Sequence, residues 1–261
     1  MSSDLWSFKE LIWQTFIRDL QSEYRKSILG YLWIFIPIIA TTSLWFFLNS
    51  QNIVNVGKTE IPYPLYVMVG TTLWGVFTSS FLNSMSAFSS GSGIFTRLRV
   101  PAEIFIITGL SQIIFQFLIK TIFLIPFLIF FEIKYSNFMI LFPFCVFIII
   151  LFATSLGLLL VPISSLYSDI SRIFALGLNF MMYLTPVVYP IGKEGFIGKL
   201  LQMNPITPLI IVSRDMITGL PFNEAYILPL IIITLTSCIL LVIGVLILRL
   251  VLPILVERMG M

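Results

Sequence analysis

The 261-residue sequence has no histidine, two cysteines and few charges: 15 Lys or Arg and 12 Asp or Glu, 10% of the chain. Without histidine there are no imidazole-ligated metals and no histidine general bases or proton relays. Cys145 and Cys238 each lie within an apolar run, the setting of small buried hydrophobes and not of a disulfide or a metal site. A soluble domain is roughly 25% charged, and so few charges cannot cover the surface of this one. The net charge of +3 is too small and too scattered to point to nucleic acid. What the chain does have is 58% hydrophobic residues, 15% aromatics and a mean hydropathy of +1.04. That excludes disorder, which needs the opposite composition, and leaves a polytopic membrane protein.

Apolar stretches of 18 residues or more read as membrane helices. Six are expected, at about 29–48, 63–88, 104–131, 138–161, 170–188 and 225–250. The second carries Thr and Ser through 71–86, so its far end is expected to leave the bilayer. The third must tilt or protrude and has a kink site at Pro126. The fifth, with Gly177 and Asn179 before Pro186, is the weakest and is included because parity and charge both favour it. An even count puts both termini on one side. Lys9, Arg18, Arg25, Lys26, Arg97, Arg99, Arg172, Arg249 and Arg258 fall on that side, against Lys58, Lys134, Lys193, Lys199 and Arg214 on the other. The cationic excess marks the terminal side as cytoplasmic. The first residues do not read as a signal peptide, since charged and apolar residues alternate with no small-residue cleavage site. The layout is a cytoplasmic leader (1–28), a membrane domain (29–253) and a cytoplasmic tail (254–261).

Three segments outside the spans carry information. Residues 4–24 predict an amphipathic helix, with Trp6, Trp13, Ile17, Leu20 and Tyr24 on one face, Ile12 and Phe16 widening it, and Ser7 with Glu10 as a capping box. Such a helix lies in the membrane interface. In the loop 89–103, Ser89 to Gly93 ends one helix, Ile94 to Val100 forms two short turns and Pro101 starts the next helix. This loop is either a docking knob for a cytoplasmic partner or an ordinary cationic loop. In the long connection 189–224, two apolar runs, 196–203 and 206–213, flank Asn204-Pro205. They are too short to span, so they are either re-entrant or interfacial helices or an external hairpin resting on the protein.

No nucleotide-hydrolysing motif is found. At Gly198-Lys199 the phosphate-loop pattern fails, with Lys193 in place of its first Gly and Leu200 in place of Ser or Thr. Hydrolase chemistry has no nucleophile-elbow pattern to rest on. Lys120 alone lies deep in a span, at an insertion cost of roughly 2.5–3.5 kcal/mol; it faces a wet cavity or pairs with a dipole, being too far from both ends to favour snorkelling. The carboxylates Glu103, Glu132 and Asp169 sit near span ends, which argues against a proton-driven carrier. The 39 aromatics suit sugar stacking, but most must face lipid or neighbouring helices.

Several segments, in this order, resemble the membrane subunits of ABC-2-type exporters, in particular the O-antigen and related polysaccharide permeases. They are YRKSILGYLWIFIPI (24–38), MVGTTLWGVF (68–77), TRLRVPAEIF (96–105), LYSDISRI (166–173), TPVVYP (185–190) and NPITPLI (204–210). The resemblance covers most of the chain. One departure is Ser168-Asp169, where relatives usually have Arg-Asp, with Arg172 one turn later.

The resemblance implies an all-α membrane protein with six spans, an interfacial N-terminal helix and short external gate helices. It further implies a homodimer of such half-permeases over two copies of a cytoplasmic ABC ATPase. ATP and Mg would belong to that partner, with no cofactor in this chain. Segment 94–100 would act as a coupling helix, with Phe95, Arg97, Leu98, Arg99 and Glu103 transmitting movement. Arg18, Arg25 and Lys26 would draw a lipid-linked pyrophosphate to the cytoplasmic entrance. Asp169 and Arg172 would pair at a span end, and Tyr189, Asn204, Pro205 and Pro208 would belong to the external gate. The cargo would be a lipid-linked polysaccharide carried across a bacterial inner membrane. Teichoic acid, capsule or a small amphiphile are alternative cargoes, and a non-transporting membrane scaffold is the alternative of another class.

Overall fold

The computed structural model describes residues 9–24, 29–54, 57, 59–95, 103–190, 196–221 and 223–259. Among these residues there are helices and no strands, as expected for an all-α membrane protein. They are α1 (Lys9–Tyr24), α2 (Ile36–Ser50), α3 (Tyr63–Phe95), α4 (Glu103–Phe130), α5 (Phe142–Leu166), α6 (Ser168–Met181), α7 (Phe196–Met203), α8 (Ile206–Thr218) and α9 (Ile227–Met259). Short 3-10 turns precede α2, α5 and α9 and follow α6.

Among the described residues, five segments are long and apolar enough to cross a membrane: Leu32–Ser50, Tyr63–Ser86, Ile107–Phe130, Asn137–Leu166 and Glu224–Val251. The expected span at 170–188 is not a single helix. Its helix, α6, has 14 residues, about 21 Å at 1.5 Å per residue, short of the roughly 30 Å hydrocarbon core. The reason is Pro186, which disfavours helical backbone at the residue before it; Thr185 is extended at φ −137° and ψ 143°. The chain continues in non-helical backbone to the first residue of α3, where the Tyr63 hydroxyl donates to the Val188 carbonyl at 3.0 Å.

α3 and α5 form the buried centre, while α2, α4 and α9 expose most of their surface. Phe77 meets Phe152 and, further along, the Ser164 hydroxyl donates to the Met85 carbonyl at 2.8 Å, so α3 and α5 run parallel. α9 is parallel to them, with Gly244 against Leu158. α4 is antiparallel, placing Gly109 beside Asn83 of α3. The Thr and Ser residues that thin the hydropathy of 71–86 are largely internal. Thr72 and Ser80 are buried and donate to the carbonyls four residues back, each at 2.7 Å, so these hydroxyls need no water. Small side chains here also let the helices approach: a Cβ on Gly157 would lie 2.5 Å from the Phe81 carbonyl oxygen.

α3 continues through Ser89–Gly93 to Phe95, where the sequence pattern placed a helix end. Two glycines in an otherwise helical run lower its propensity without stopping it. At the N-terminus, the apolar face of α1 is divided. Leu20 is buried, and Phe16 meets Phe115 of α4 edge to face at 5.9 Å, whereas Trp13 remains 61% exposed beside Phe16. Trp6 and Ser7 lie outside the described residues.

Candidate functional site

The break after α6 creates a demand for hydrogen bonds. Unwound backbone inside a packed membrane bundle must have its carbonyls satisfied by protein, and Thr185, Val187 and Val188 are fully buried. Side chains from two other elements supply the donors. Asn204, in the turn between α7 and α8, donates from Nδ2 to the Leu184 carbonyl and to Thr185 Oγ1, both at 3.0 Å. Its Oδ1 accepts from the Ile206 N–H, so the same residue starts α8. Arg214 Nη2 donates to the carbonyls of Pro186 and Val187 at 2.8 and 2.9 Å. From α3, Tyr66 donates to the Pro186 carbonyl at 3.4 Å and Tyr63 donates to that of Val188. Tyr189 closes the segment on itself by donating to the Tyr183 carbonyl.

Arg214 is the centre of this arrangement. It is 3% exposed, and its guanidinium carbon lies 3.6 Å from the centre of the Tyr66 ring. The planar guanidinium presents several donors in a fixed fork and stacks on aromatic faces. Gly70 makes the approach possible, since a Cβ there would fall 2.2 Å from the Val187 carbonyl oxygen and 2.4 Å from Arg214 Nη2. α8 is therefore part of the interior of the bundle, almost wholly buried, whereas the end of α7 is exposed at Met203.

The placement of Arg214 in an external loop is thus corrected: it is on α8, about 10 Å inward from the start of α3 (seven residues at 1.5 Å each). Its signal in the sequence was a Ser-Arg-Asp triplet inside an apolar run. Asp215, the next residue, lines a cavity with Glu60, Asn223 and Tyr226 at the end of the bundle opposite α1. Burial, joined by the nearby charge of Glu60 and opposed by Arg214, pushes the Asp215 carboxyl up to about 7.

The other candidate residues are dispersed. Pro205 is the N-cap of α8, and Pro208 is buried in its first turn, where its missing N–H would have no intrahelical partner in any case. Asp169 accepts from Arg172 at 3.5 Å across the first turn of α6, with both side chains 79% exposed; such a pair contributes little. Lys120 crosses from α4 to α3, its Nζ 3.6 Å from where a Gly75 Cβ would stand. Arg18 is exposed on α1. Phe95 is the last residue of α3 and Glu103 the first of α4. Arg25, Lys26, Arg97, Leu98 and Arg99 lie outside the described residues.

The ABC-2 type transporter family matches residues 10–218, from α1 to the end of α8. The chain belongs to that family. It is similar to the O-antigen export system permease protein RfbA of Myxococcus xanthus, 25% identical over 79% of this chain and 80% of that one. Two Klebsiella pneumoniae proteins of the same name are each 24% identical over 80% of this chain and 81% of theirs. As an ABC-2 permease the chain is a multi-pass transport subunit. The matched region takes in the α6 break and both short helices, so the structure built around Arg214 lies within the family domain.

Proposed function

We infer that this chain is the channel-forming membrane subunit of an ATP-driven exporter that moves lipid-linked polysaccharide of the O-antigen type from the cytoplasm to the outer face of a bacterial inner membrane. The observation that carries this reading is the family match over residues 10–218, together with relatives that share four-fifths of their length with this chain and are named for O-antigen export. Both termini are cytoplasmic in this reading, so the end of the bundle bearing Tyr63, Asp215 and Asn223 faces outward. Two copies of the chain enclose the path, and two copies of a separate ABC ATPase supply the work, holding ATP and Mg themselves. Arg18, Arg25 and Lys26 attract the anionic carrier headgroup at the cytoplasmic leaflet, as basic clusters near a membrane do.

In mechanical terms, α3 is the connecting part. Its 33 residues give a rod of about 50 Å. One end leads into the 94–100 coupling segment, and the other carries Tyr63 and Tyr66, which hold the broken stretch after α6. A push at the first end reaches the gate without passing through any loop.

The test is purification of the tagged chain from its own host together with deletion of its gene. An ABC ATPase in stoichiometric amount and loss of surface polysaccharide on deletion are the expected results. A chain that brings down no ATPase, in cells that still display their polysaccharide, would overturn the reading.

A further inference from the structure

Among the described residues, hollows of two kinds are found. Two grooves, of about 390 and 550 Å³, are lined almost entirely by apolar side chains such as Phe144, Ile148 and Ile231 in one and Phe46, Met68 and Phe130 in the other. They face the surroundings, where acyl chains suffice to fill them. The third, of about 490 Å³, differs in chemistry and place. Five segments converge on it: the approach to α3 (Thr59, Glu60), α3 itself (Tyr66), the broken stretch after α6 (Pro186, Pro190), α8 (Arg214, Asp215) and the connection to α9 (Asn223, Tyr226). Its volume falls in the range of about 300–1,000 Å³ typical of small-ligand sites.

The lining narrows the ligand. Glu60 repels phosphate and other anions, and Glu60 and Asp215 accept hydrogen bonds from hydroxyls. The Asn223 Oδ1 accepts from the Ala225 N–H, which leaves this side chain's amide hydrogens as its donors toward a ligand. Tyr226 adds a ring face and a phenolic hydroxyl, while Pro186, Pro190 and Leu220 add apolar surface. Alternating hydroxyls beside a C–H face are what a pyranose ring offers, and a mixed set of acceptors, donors and flat surfaces is what such a ring needs.

We propose that this cavity is a sugar-binding site at the outward end of the permease, taking one hydroxyl-bearing sugar residue of the glycan as it leaves the membrane. The proposal rests on the exporter reading above for the identity of its ligand. It adds a contact at the exit, within one copy of the chain.

The probe is the host's own surface polysaccharide, cleaved from its lipid by mild acid. It is presented to the chain purified with its accompanying subunits in lipid nanodiscs, and binding is read by saturation-transfer difference NMR. Glu60→Gln and Asn223→Ala change exposed positions of the wall and are expected to fold as the parent, checked by an unchanged Tm. The expected result is saturable binding by the parent, weakened at least fivefold in each variant. Equal binding by parent and variants, absence of binding by the parent, or displacement of the glycan by tetramethylammonium, which would mark an ammonium site, would each overturn the proposal. Gene deletion tests the exporter reading separately: cells that keep their polysaccharide refute that reading, whereas the variants decide the sugar site alone.

Discussion

A buried guanidinium is costly in an apolar bundle, and Arg214 is retained here because removing it leaves backbone groups in a worse state. Each buried acceptor left without a partner costs about 1–3 kcal/mol, and Arg214 serves two, the carbonyls of Pro186 and Val187. The Pro186 carbonyl keeps the Tyr66 hydroxyl at 3.4 Å, so Arg214→Ala is expected to destabilise the chain by about 1–3 kcal/mol, for the Val187 carbonyl alone. Arg214→Lys should lose a substantial part of that, since a point-like ammonium cannot both fork to two carbonyls and stack on Tyr66. Thermal unfolding in detergent checks the order parent, Lys, Ala; a Tm unchanged in Arg214→Ala would remove Arg214 from this role. Its neighbour gives a pH dependence. Asp215 has a carboxyl pushed up from 3.8 to about 7, chiefly by burial. A carboxyl whose folded pKa is raised costs nothing while it is protonated in both states. Its penalty grows as pH rises from the ordinary value toward about 7, and is constant above that. The parent should thus lose more stability than Asp215→Asn between pH 5 and pH 8. Parallel Tm curves for the two would contradict the buried setting of this carboxyl.

At the scale of elements, the α3–α5 contact depends on small residues. A Cβ added at Gly157 would meet the Phe81 carbonyl oxygen at 2.5 Å and Ser84 at 3.0 Å, and neither can move without shifting its helix. Gly157→Ala should cost about 1–3 kcal/mol as an overpacked contact, visible as a lower Tm and faster proteolysis in detergent. No change in either measure would mean that α3 and α5 separate easily. Elements of this kind were legible to different degrees. The long helices follow directly from hydropathy, because a run of 18 or more apolar residues has few other solutions. The Asn204-Pro205 division between two short apolar runs also marked where α7 gives way to α8. The break in α6 was harder to see: Pro186 signals it, but the partners that make it tolerable are Tyr63 and Tyr66, some 120 positions away. Arg214 was misplaced for the same reason. A charge in a short apolar run reads as a loop residue unless the carbonyls that need it are known to be within reach, and only the fold brings them there. The Gly-x-x-x-Trp stretch at Gly70 was visible as a motif, whereas its purpose, room for Arg214 against Val187, was not.

For the whole molecule, the question is how work delivered at one end opens the other. α3 and α5 are too closely packed to slide independently, so a push on the coupling segment should move the central pair as one body. The far end of that body holds the 185–190 stretch through Tyr63 and Tyr66, and α6 ends in that stretch. The two ends can be uncoupled separately. Arg97→Ala with Arg99→Ala should lower both export and ATPase coupling while leaving membrane insertion intact, because only the contact with the partner is lost. Tyr63→Phe with Tyr66→Phe should keep ATPase association and lower the glycan exported per ATP, because the rod still moves but grips the gate less firmly. Reconstituted vesicles carrying the ATPase and lipid-linked glycan distinguish these outcomes. Unchanged coupling in the arginine pair would refute docking at 94–100, and a tyrosine pair with normal export per ATP would show that α3 does not carry the movement to the gate.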